Sequence, residues 1–154
     1  MQSELSEAWE RSNRNRVLKR LNGYRELEEQ IRKAKATKRD LQREIDGLKS
    51  PYLTDMPRGS GTSDRVYTQA LKLPETTEQI MELSAEIIVY EAEREQIKSA
   101  MEELNQTERF VIECRYIKAP SKKQYRVLAR NRGYAESTLK NAHTTAIKKL
   151  TRFL

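Results

Sequence analysis

The chain has one cysteine, Cys114, and one histidine, His143, in 154 residues. A single cysteine excludes an internal disulfide framework, and one histidine beside it leaves no cluster of soft zinc ligands. Cys114 lies in an apolar-spaced stretch and reads as a small core residue. There is no Gly-rich phosphate loop after a strand and no convergent acid pair, so neither an enzyme nor a bound cofactor is expected. The many carboxylates lie on periodic helix surfaces, where solvation is the ordinary explanation. No apolar run approaches the length needed to span a bilayer. Residues 1–10 are acidic and lack an apolar stretch, so no secretory signal is read there. The expected setting is cytoplasmic, without a membrane partner. Five glycines and four prolines leave room for long uninterrupted helices.

What is present is charge. Charged residues make up 34% of the chain and hydrophobic ones 36%. So charged a chain cannot bury a large globular core, and long helices with narrow apolar seams fit better. The excess of seven positive charges is not evenly spread. Residues 1–50 hold 13 Lys and Arg against 9 acids, residues 51–104 hold 5 against 11, and residues 105–154 hold 12 against 3. A basic face of that density attracts polyanions, nucleic acid first among them.

An all-α fold is expected, in three parts. Residues 1–23 form an N-terminal arm in which Leu5, Ala8 and Trp9 make an apolar patch. Arg11, Arg14, Arg16, Lys19 and Arg20 make a basic one, and Asn22-Gly23 is a candidate helix interruption. Residues 24–104 read as a long antiparallel, coiled-coil-like hairpin. Its first stripe is Tyr24, Leu27, Ile31, Ala34, Lys38, Leu41, Ile45 and Leu48, ending near Gly47 and Pro51. Residues 49–63 are a loop, and residues 64–73 a short helix closed off before Pro74. The second stripe is Ile80, Leu83, Ile87, Tyr90, Arg94, Ile97, Met101 and Leu104. Antiparallel pairing from Leu48/Ile80 through to Tyr24/Leu104 lays Lys38 along Tyr90 and passes Arg94 over Ala34. A parallel homodimer would stack Lys38 on Lys38 or Arg94 on Arg94, so an intrachain hairpin is preferred; ordinary bundle packing of such stripes is the alternative, and a homodimer stays open as a partner.

Residues 105–154 read as a helix-turn-helix domain. Asn105 or Thr107 caps a helix with Phe110, Val111, Cys114 and Ile117 inward. A second helix over residues 122–132 buries Tyr125, Leu128 and Ala129. Gly133 makes the turn, and a third helix runs from about Ala135 with Leu139, Ala142 or His143, Ala146, Ile147 and Leu150 inward. Its outer face carries Glu136, Ser137, Lys140, Asn141 and Thr144, with Thr138 beside them. These side-chain types pair with base edges: Asn with adenine, Lys with guanine, Ser or Thr with either. Lys122, Lys123, Arg130, Arg132, Lys148 and Lys149 flank that face and suit phosphates. Solvated helix surface is the alternative reading for Ser137, Thr138 and Thr144.

The pattern Leu104-x3-Glu108-Arg109-x-Val111-Ile112-x2-Arg115-Tyr116, then Tyr125-x2-Leu128-Ala129-x3-Gly133-Tyr134-x2-Ser137-Thr138-Leu139, then Ala146-x3-Leu150, resembles region 4 of sigma-70 family factors. With the long helices and the Met56-Pro57-Arg58-Gly59 loop, the chain resembles small phage and prophage transcriptional regulators of the ArpU/RinA type. That resemblance implies a promoter-binding late-gene regulator with double-stranded DNA, and RNA polymerase, as partners. Two positions depart from the pattern. Arg132 stands where an apolar residue is usual, and Ala135 where a serine cap is expected. A phage DNA-packaging recognition subunit (small-terminase-like), which would also join a helix-turn-helix to long helices, and a structural helical adaptor are the alternatives.

Overall fold

The computed structural model describes residues 2–48, 63–118 and 124–154, and among these every regular element is helical. The order is α1 (Gln2–Leu48), α2 (Ser63–Glu102), α3 (Gln106–Ile112), which continues as a π-helical turn (Glu113–Ile117), α4 (Tyr125–Arg132) and α5 (Glu136–Leu150). No helix among the described residues is long and apolar enough to cross a membrane. The expected loop at 49–63 falls outside them except for Ser63, as do Pro120, Lys122 and Lys123.

Two expectations about the long helices change. Residues 2–23 belong to α1, and Asn22-Gly23 does not interrupt it. The first twenty residues read as an arm because Arg14, Arg16, Lys19 and Arg20 surround the two apolar positions that matter. Val17 and Leu21 are fully buried, and they extend the three-four spacing of Tyr24 and Leu27 by two layers toward the N-terminus. Residues 64–73 are not a separate short helix, because α2 runs through Pro74. Proline removes one backbone donor from a helix but does not forbid it when the turns on both sides are stabilised otherwise. Just after the proline the hydroxyls of Thr76 and Thr77 donate back to the carbonyls of Lys72 and Leu73 (3.0 and 2.8 Å), which adds local bonds without replacing the amide that Pro74 lacks.

The contacts divide the chain into two compact units, residues 1–28 with 92–154, and residues 29–91. In the first unit, Val17, Leu21, Tyr24 and Leu27 of α1 and Ile97, Ala100 and Met101 of α2 are buried, with Leu104 just beyond. Arg20 ties this unit together. Its guanidinium donates to the carbonyl of Leu154 (3.1 Å) and to Gln96 Oε1 (2.6 Å), and its Nε stands 3.5 Å from Glu93. The expected pairing of Tyr24 with Leu104 would place Arg20 beyond the end of α2, so the register differs here. In the second unit Ile31, Ala34, Ile45 and Ile87 are buried. Lys35 pairs with Glu91 (2.5 Å), and Lys38 lines a cavity of about 400 Å³ with Arg32, Lys35, Arg39 and Ile87.

Candidate nucleic-acid interface

The last fifty residues build a platform that turns one face of α5 outward. α3 begins at a reciprocal cap, with Asn105 Oδ1 accepting from the Glu108 amide (2.9 Å) and Glu108 Oε2 accepting from the Asn105 amide (3.0 Å). Such a cap satisfies two of the amides that a helix start leaves without partners. Glu108 is buried, and the same Oε2 accepts from Lys149 Nζ of α5 at 2.9 Å.

α3, α4 and α5 share a core of Val111, Leu128, Ala129 and Leu139, with Phe110, Cys114, Tyr125 and Ala142 against it. The π-helical turn adds one residue to the repeat, and Tyr116 there is buried, its hydroxyl 2.8 Å from His143 Nε2 on α5. Burial pushes the Tyr116 phenol above its ordinary pKa. His143 also meets the Tyr125 ring edge-on, and the Arg115 guanidinium lies 4.1 Å from the centre of the Tyr125 ring. The lone histidine is thus committed to packing.

α4 ends at Gly133, which has φ of 70°, and the amides of Gly133 and Tyr134 both turn back to the Ala129 carbonyl. A side chain at that φ would be strained, so glycine is the residue that permits the tight turn. α5 then starts from Ala135, an extended N-cap without a side-chain hydrogen bond. Leu139, His143, Ala146, Ile147 and Leu150 are buried. At 100° per residue, the line opposite them is Ser137, Asn141, Thr144 and Lys148. All four are exposed, as are Glu136, Thr138 and Lys140.

Within that face the candidate residues are not equivalent. Lys140 sits to one side and pairs with Glu136 (2.9 Å). The Thr144 hydroxyl donates to the Lys140 carbonyl (3.1 Å), leaving its methyl outward. Arg130 is exposed, opposite buried Leu128 on α4. Arg132 is exposed too, but its guanidinium lies 4.9 Å from the centre of the Phe110 ring, which accounts for a cation where an apolar residue was expected. Lys149 holds Glu108, which gives its ammonium a partner inside the domain. Two exposed residues were overlooked: Arg126, four residues before Arg130, and Thr145, seven after Thr138. The same helical period would have found both.

Among the described residues no group of three or more His, Cys, Asp or Glu could hold a metal ion. No known protein family, curated protein or solved structure matches the chain.

Proposed function

We propose that this chain is a non-enzymatic, sequence-specific DNA-binding protein that regulates transcription, with α4, the Gly133 turn and α5 acting as a helix-turn-helix. On this reading α5 enters the major groove of duplex DNA, and Asn141 and Ser137 read base edges from its first turns, with Thr138, Thr144 and the Glu136–Lys140 pair beside them. Arg126, Arg130 and Lys148 contact phosphates, joined by Lys122 and Lys123. The observation that carries the proposal is the exposed row Ser137, Asn141, Thr144 and Lys148 on the back of a helix whose other side is buried. The excess of 12 cations over 3 acids in residues 105–154 supports it.

The resemblance to sigma region 4 and to ArpU/RinA-type regulators makes phage or prophage late promoters, read together with RNA polymerase in the cytoplasm, the setting of this function. The long helices α1 and α2 supply the hairpin that carries contacts to other proteins.

Selection of duplexes from a random library by the full-length chain tests the reading. Successive rounds enrich a common motif if bases are read. Retention of DNA without any enriched motif would leave a non-specific binder, and no retention at low salt would overturn the proposal.

A further inference from the structure

The second unit exposes an apolar row that its own packing does not use. Leu71, Met81, Ile88 and Val89 of α2 are 62 to 68% exposed, and Ala85 between them is exposed as well. On a helix at 100° per residue these five fall within about 100° of arc, opposite the side that carries buried Ile87. α2 is therefore apolar on two opposite sides in residues 71–89, and isolated surface hydrophobics do not line up in this way. One flank of the row is a line of exposed glutamates, Glu75, Glu82 and Glu86, and a fourth, Glu78, stands within the arc of the row itself. None of them forms an ion pair with a described residue. The other flank holds Thr77 and Ser84, whose hydroxyls donate to the carbonyls of Leu73 and Ile80 in their own helix.

We propose that this face of α2 docks an amphipathic helix of another protein, one with an apolar stripe bordered by a row of Lys or Arg. The apolar row supplies area to bury, and the glutamate row selects the partner by charge. A second copy of the same face is a poor occupant. Antiparallel packing sets the two glutamate rows against each other, and parallel packing sets them against Thr77 and Ser84. The exposed large apolar side chains of α1, Leu5 and Trp9, lie in the other unit, so the described residues of α1 in this unit offer none to fill the row. Docking here needs no DNA.

The test uses the full-length chain without DNA and two synthetic helical peptides of about 20 residues, long enough to span the row. Both carry one leucine stripe, bordered by arginines in one and by glutamates in the other. The arginine peptide should bind at least about tenfold more tightly, and Ile88→Ser should weaken it about tenfold without changing the thermal melt. The double variant E78K/E82K should reverse the preference. The chain's net charge of +7 works against this result, since diffuse attraction favours the glutamate peptide. Equal binding of the two peptides, or a preference for arginine that survives E78K/E82K, would overturn the proposal. So would sedimentation showing a dimer of the chain that Ile88→Lys dissolves, because a second copy would then cover the face.

Discussion

Glu108 on α3 and Lys149 on α5 form one ion pair, 2.9 Å long, whose carboxylate is 4% exposed and whose ammonium is 39% exposed. Because Glu108 also completes the cap at Asn105, the start of α3 and the end of α5 depend on the same carboxylate. Lys149→Ala strands that charge in a buried position and should cost about 1–3 kcal/mol in chemical denaturation, tempered by the exposure of its partner. Its effect on DNA should be distinct from that of a phosphate ligand: stability falls, and the salt dependence of binding stays as in the parent. A lost contact in the salt slope would place Lys149 in the phosphate-binding set.

Ala135 opens α5 without a side-chain acceptor. Serine accepts from the amides of the first turn, so Ala135→Ser should stabilise the chain by about 0.5–2 kcal/mol. A rise in melting temperature checks this. An unchanged or lowered melting temperature would mean that the backbone at 135 does not hold the extended N-cap geometry.

Gly23 lies inside α1, and nothing stands within 4 Å of where a Cβ would be. Gly23→Ala should therefore add about 0.5–1 kcal/mol by lowering the entropy of the unfolded chain. Loss of stability on this substitution would show that α1 is interrupted at Asn22-Gly23.

Burial, with the Glu28 carboxylate next in effect, pushes the Tyr24 phenol up to about 12. The folded chain thus holds this proton more tightly than the unfolded chain, whose phenol has a pKa of about 10. The stability linked to Tyr24 is complete below about pH 10 and is lost as the pH rises through about 12. Denaturation midpoints should fall across that window in the parent and fall less in Tyr24→Phe. An equal fall in both would remove Tyr24 from the account.

The helical character of the chain was legible because its apolar residues recur at three and four, and the inward faces of α4 and α5 followed from the same period. The register of the long helices was not. Arg14, Arg16, Lys19 and Arg20 masked Val17 and Leu21, and Arg20 meets Gln96 and Glu93 instead of lying beyond the end of α2. The second apolar row on α2 escaped for a related reason: Met81 and Ile88 each follow a residue of the first stripe, Ile80 and Ile87, and read as its edge. At the candidate interface the outward positions could be placed from sequence, but their partners could not. Spacing alone does not separate Lys148 from Lys149. Only the buried Glu108, forty-one residues earlier in the chain, gives one of them a partner inside the domain. Likewise Arg132 looked like a misfit until the Phe110 ring beneath its guanidinium supplied the reason.

On the proposed reading, α5 reads bases with its outward row and anchors phosphates at its margins. Anisotropy titration of the full-length chain against its selected duplex and a random duplex, at several salt concentrations, tests it most directly when Asn141→Ala and Lys148→Ala are run beside the parent. Asn141→Ala should cost about 1–3 kcal/mol on the selected duplex and little on the random one. Lys148→Ala should weaken both alike and make the slope of log affinity against log salt shallower by about 0.9, one phosphate contact. Equal weakening of both duplexes by Asn141→Ala, or a parent affinity that does not change with salt, would contradict it.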